Sequence, residues 1–182
     1  MTNKLLALVL LLSPAGAMAQ TAPPTVPAST GSTTSAPLLL APDAVNKLLP
    51  PSVYFRGQSA PLQLRNAAAA RFPDNAVLFA SLVDTSGYST SVRERYQFYL
   101  VTEVPLTIAD KPLPAGAYGA GFLEDGTFVV MDIGGHDVLL SRTTRDENMH
   151  RPRPLQIVTG ATPGELRLYL GRSFVTLTPA AR

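Results

Sequence analysis

No cysteine occurs in the 182 residues. Disulfides are therefore excluded, as are a lipid-modified N-terminal cysteine and a thiol nucleophile. Histidine is nearly absent too, with only His136 and His150, so no His-Glu-x-x-His metal helix can form. There is no Gly-x-Ser-x-Gly elbow and no Ser-x-x-Lys pair, which removes the common signatures of serine acyl transfer. Ser86 stands between Thr85 and Gly87, where turn chemistry accounts for it. Charge of either sign is sparse, at 15 basic against 13 acidic side chains. Nucleic-acid binding needs a concentrated positive stripe, and none exists. No apolar run approaches the roughly 20 residues that span a bilayer as helix, and there is no internal repeat.

What is present begins with Met1 to Gln20. Lys4 precedes the apolar run Leu5 to Leu12, Ser13-Pro14 breaks it, and Ala17-Met18-Ala19 follows. This is the pattern of a secretory signal peptide, with cleavage after Ala19. Without paired arginines ahead of the run, the general secretory route is expected. Residues 1–19 are thus read as signal peptide, and the mature chain as periplasmic or secreted, with no transmembrane segment. Loss of Lys4 leaves 14 basic against 13 acidic side chains. Residues 20–42 are rich in Pro, Thr and Ser and read as a flexible tether. Leu38 to Leu40 is expected to dock as a short edge strand. A single domain follows over residues 43–182, held by its apolar core alone.

Within it, Asp43 can cap one short helix with Val45, Leu48 and Leu49 on a shared face, ended by Pro50-Pro51. The period then changes to two. Strands are expected over Ser52–Arg56 and Pro61–Arg65 with Gly57-Gln58-Ser59 turning between them, and over Ala67–Ala70. Ala76–Val83 reads as a strand buried on both faces. Further strands are Arg95–Glu103, an edge segment Leu106–Ile108, Ala117–Leu123, Thr127–Ile133 after the Asp125-Gly126 turn, and Val138–Leu140. Leu155–Thr159, Glu165–Leu170 and Ser173–Thr178 complete the set, with Arg167 and Tyr169 expected to face outward. Many short strands without a long amphipathic helix imply an all-β fold, an antiparallel sandwich or barrel-like domain.

The segment Lys111-Pro-Leu-Pro-Ala-Gly-Ala-Tyr118 and the hairpin after it, to about Ile133, resemble exported bacterial β-sandwich domains of unknown function. In these a Leu-Pro-x-Gly-x-Tyr element enters a strand. Asp84-Thr-Ser-Gly-Tyr88 and Arg151-Pro-Arg-Pro-Leu155 look like further markers of that group. The resemblance implies a fold and an exported location and transfers no catalytic residue.

Three loops are longer than hairpins require: Asp84–Ser91, Gly134–Asp137 and Arg142–Pro154. The last holds Arg142, Arg145, His150, Arg151 and Arg153 against Asp146 and Glu147. Loops on a rigid sheet are where recognition concentrates. Tyr88, Arg93, His136, Arg151 and Arg153 are therefore the expected binding residues, with arginine suited to bidentate carboxylate or phosphate contacts. Asp132, His136 and Asp137 are the one cluster with a metal-ligating character, set against ordinary Gly-Gly loop chemistry. No cofactor motif is present. Asp84, Glu94, Glu103, Glu124, Asp125 and Asp132 are the carboxylates from which a glycosidase pair would be drawn. The expected function is non-enzymatic binding of an envelope protein or of an anionic or carbohydrate ligand. The alternatives are a hydrolase acting on envelope carbohydrate and a structural accessory subunit.

Overall fold

Residues 36–180 are described, in a computed structural model. The expected signal peptide and most of the tether lie outside the described residues. Helix α1 (Pro42–Leu48) starts two residues earlier than a cap at Asp43 implies. Pro42, whose fixed φ suits the first helical position, moves the N-cap to Ala41, so Asp43 sits inside the first turn and makes no cap bond. Val45 and Leu49 are buried, whereas Leu48, on the other side of this single stripe, is exposed.

Fourteen strands carry the rest. The first sheet is built from β1 (Leu38–Leu39), β2 (Ser52–Phe55), β3 (Gln58–Arg71), β4 (Val77–Val83), β5 (Phe98–Thr102), β8 (Gly116–Phe122), β9 (Thr127–Met131) and β10 (Asp137–Arg142). Its order is β1-β3-β4-β5-β8-β9-β10, with β2 paired to the first part of β3. The second sheet holds β6 (Leu106–Ile108), β7 (Lys111–Leu113), β11 (Thr144–Arg145), β12 (Leu155–Thr159), β13 (Leu166–Leu170) and β14 (Ser173–Pro179). Its order is β12-β13-β14-β6-β7, with β11 on β14. All pairings are antiparallel. The chain is therefore an all-β sandwich, as its patterning implies. Among the described residues no helix is long and apolar enough to cross a membrane.

Strand β6 is not an edge. It lies between β14 and β7, because Ala109 and Asp110 both take positive φ and close a two-residue hairpin. The segment from Lys111 is thereby drawn into β7. Tyr169 faces away from the inter-sheet core yet is buried. It stacks on Phe174 at 4.8 Å and its hydroxyl donates to Asp146 Oδ2 at 3.1 Å, so the segment around β11 closes over it.

Two apolar clusters occupy opposite faces of the first sheet. One fills the space between the sheets and includes Leu78, Leu100, Phe128, Leu166 and Leu168. The other lies on the outer face and joins Val129 and Met131 to Val45 and Leu49 of α1, Val53 and Phe55 of β2, and Tyr88 and Tyr96. Strand β4 serves both, with Leu78 and Ala80 inward and Val83 outward. A wide bulge in β3 lets the strand reach across these layers. Gln63 to Asn66 stand where β4 has only Leu82, which bends the strand so that β2 and β1 occupy separate stretches of it.

Candidate functional site

The outer layer places one end of the β2–β3 hairpin against two other segments. The turn is Arg56-Gly57, with φ of 50° and 77°, and Phe55 pairs with Gln58 across it. Those values belong to a type I′ turn, which matches strand twist but needs φ > 0 at both central residues. The sequence expectation of Gly57-Gln58-Ser59 as the turn is thus shifted back to Arg56-Gly57. The Arg56 amide donates to Ile133 O at 2.8 Å, fastening the hairpin to the β9–β10 connection. Gly135, at φ 90°, lies directly under the Arg56 stem: a Cβ there would stand 2.6 Å from Arg56 Cδ.

The third segment is α2 (Thr90–Arg95), where sequence pattern gave only loop. It is anchored by the tyrosines at its flanks. Tyr96 stacks on Phe55 at 3.8 Å between ring centroids, and Tyr88 meets both rings edge-on. The stack rests on β8, where a Cβ at Gly119 would fall 2.4 Å from Phe55 Cε2. Tyr88 is itself buried, and its hydroxyl donates to Phe55 O at 2.9 Å and Gln58 O at 3.1 Å. It is a clamp for the hairpin rather than an exposed ligand contact. The Tyr96 hydroxyl is buried with no hydrogen-bond partner among the described residues, and burial raises the pKa of both phenols.

Around Arg56 these elements enclose two cavities. One, of about 130 Å³, is lined by Phe55, Arg56, Ser91, Val92, Arg95, Met131 and Gly135. The other, of about 310 Å³, is lined by Arg56, Gln58, Tyr88, Ser89, Ser91 and Val92. Two of the three long loops seen in the sequence therefore converge here. The nearby carboxylates are engaged. Asp137 is paired with Arg95, and Asp132 accepts from the His136 amide at 2.9 Å while its second oxygen lies 3.0 Å from His136 Nδ1. The His136 amide is the first cause holding the Asp132 carboxyl below its usual range. The Arg56 guanidinium has no hydrogen-bond or ion-pair partner among the described residues.

None of the other expected residues lines either cavity. Arg93 is exposed on α2, reaching Thr90 Oγ1 at 3.5 Å. His136 is exposed in the β9–β10 turn. Arg151 and Arg153 are exposed ahead of β12. Arg153 lines a different groove, about 350 Å³, with Leu39, Leu40 and Pro42 at the sandwich edge. Asp132, His136 and Asp137 do not converge as ligands, since Asp137 turns to Arg95. No group of three or more metal-ligating side chains occurs among the described residues.

Most of the carboxylates named for glycosidase chemistry have structural tasks. Asp84 accepts from the Ser86 amide, Asp125 from that of Thr127 and Glu103 from that of Val77, at 3.0, 2.9 and 2.8 Å. Glu94 and Glu124 do share a cleft of about 390 Å³. Between them Gln97 is bound to the backbone at both ends, to Glu94 O and to Phe122 O and N.

In comparison with known proteins, the chain matches no protein-family model, no curated protein and no solved structure.

Proposed function

We propose that this chain is an exported, non-enzymatic binding domain whose recognition surface is the tip of the β2–β3 hairpin with the adjoining β9–β10 turn. The observation that carries this is a guanidinium with no partner among the described residues, on a hairpin and adjoining turn that expose large apolar side chains. Tyr54, two residues before Arg56 on the hairpin, is 71% exposed, and Ile133, which accepts the Arg56 amide, is 57% exposed. Tyr and Arg are the residue types that concentrate binding energy at interfaces, and grouped apolar exposure on a soluble domain marks recognition. The elements under the tip pack on one another through the Phe55–Tyr96–Tyr88 ring cluster. Export rests on the N-terminal sequence, and the partner is accordingly sought in the envelope.

Site-specific photocrosslinking in the native cells tests this. A benzoylphenylalanine at position 54 should give one discrete adduct, and the same probe at Ala161, exposed between β12 and β13, should give none. No adduct at position 54, or equal adducts at both, refutes the surface. The intact mass of the envelope form should begin at Gln20, and a mass retaining residues 1–19 refutes the export.

A further inference from the structure

We infer that Arg56 is the receptor for an oxyanion, a carboxylate or phosphate, carried on a ligand whose apolar part lies over Tyr54 and Ile133. This deepens the binding surface proposed above and rests on it. Four observations lead to it. Arg56 holds a left-handed backbone conformation, φ 50°, in a turn position where Gly, Asn and Asp are the favoured residues. A bulky side chain kept at such a place points to a task outside folding. Its stem lies against Gly135, where a Cβ would stand 2.6 Å from Arg56 Cδ, so the side chain runs over the β9–β10 turn. It lines both cavities, and Ser91 lines both with it. Ser89 and Ser91 hydroxyls lie 3.2 Å apart, two further hydrogen-bond groups at the same place.

The electrostatics agree. Arg95 is neutralised by Asp137, and Asp132 is held by His136. Arg56 lacks a resident counter-ion among the described residues. Guanidinium suits carboxylate and phosphate because its planar fork matches two oxygens at once. The larger cavity lies at the lower limit of ligand sites, about 300 Å³, which suits one anionic group with the rest of the ligand outside.

Acetate and inorganic phosphate, each titrated into the ¹⁵N-labelled domain against sodium chloride at matched ionic strength, provide the test. Saturable shifts are expected at Arg56 Nε–H and at the Ser91 and Gly135 amides. Saturation by acetate alone assigns a carboxylate ligand, and by phosphate alone a phosphorylated one; either supports the inference. Arg56→Gln should weaken the response at least tenfold with the remaining amide resonances in place. Arg56→Lys should weaken it several-fold, and Arg93→Gln should leave it unchanged. Equal shifts from chloride, or shifts that survive Arg56→Gln, overturn it. If the crosslink at position 54 forms while neither anion saturates, the oxyanion inference fails and the binding surface stands. If the crosslink is also missing, both fail.

Discussion

Replacing Arg56 by asparagine should make the domain more stable while abolishing its response to anions. A non-glycine residue in the left-handed region costs roughly 1–2 kcal/mol, and asparagine recovers part of this through its local hydrogen bonding. Against that gain stands the contact of the Arg56 stem with Gly135, which at an exposed position is worth only a few tenths of a kcal/mol by the usual area scale. No ion pair is lost, because Arg56 has none among the described residues. The amide bond to Ile133 O is backbone and persists. The net expectation is a gain of about 0.5–1 kcal/mol, or about 2–4 °C in melting temperature for a domain of this size. Equilibrium urea unfolding measures it, provided the slope is unchanged. Ala109→Gly is the control. It occupies the same kind of position, φ 44°, and should gain a similar amount, about 0.5–1 kcal/mol. Loss of more than about 1 kcal/mol in Arg56→Asn would refute the reasoning, since the arginine would then serve folding.

The two tyrosines that flank α2 should respond with opposite sign in the same unfolding assay. Tyr96→Phe removes a hydroxyl with no partner among the described residues and should be neutral or stabilising by about 1 kcal/mol, whereas Tyr88→Phe removes the one hydroxyl proton shared between the Phe55 and Gln58 carbonyls and should cost about 1–2 kcal/mol. Gly119→Ala should cost about 1–3 kcal/mol and broaden the ring resonances of Phe55 and Tyr96, whose stack it would force apart. Asp84, Asp125, Asp132 and Glu165 all titrate below their ordinary values, held chiefly by the Ser86 amide, the Thr127 side chain, the His136 amide and the Thr162 hydroxyl respectively. Depressed carboxylates contribute stability that is present above the unfolded value, near pH 4, and lost as pH falls through the lower folded values. Melting temperature should therefore be flat from neutrality to about pH 5 and fall below about pH 4, with a shallower acid limb in Glu165→Gln.

The strands were legible wherever one residue type dominates a face. Leu166, Leu168 and Leu170, or the apolar run of β4, announce themselves by period and length. Helix α2 did not, because Thr-Ser-Val-Arg-Glu-Arg offers a single apolar side chain, Val92, and no stripe. What fixes it is long-range, the packing of Tyr88 and Tyr96 on Phe55. The β6–β7 hairpin was hidden for a different reason: Ala109-Asp110 turns left-handed without the Gly or Asn that marks such turns. The site was half legible. Two of the three long loops do meet, but the arginine between them is Arg56, which no charge cluster in the sequence identifies. Its signal was geometric, a Phe-Arg-Gly-Gln step whose two central residues span a hairpin. Arg151 and Arg153 are neighbours in sequence and belong to another part of the surface.

The outer cluster of the first sheet has a consequence for how the molecule breathes. Its cover comes from α1, β2 and the stretch from Tyr88 to Tyr96, short pieces laid on a sheet that already has a second core on its other side. Such a cover can lift away without separating the two sheets, so the domain should possess a partial opening of lower free energy than global unfolding. Native-state amide exchange would then fall into two tiers, with α1, β2 and α2 exchanging through the lower one and β5, β8 and β13 through the higher. A ligand held at Arg56 bridges the hairpin and α2, and would raise the protection of the lower tier alone.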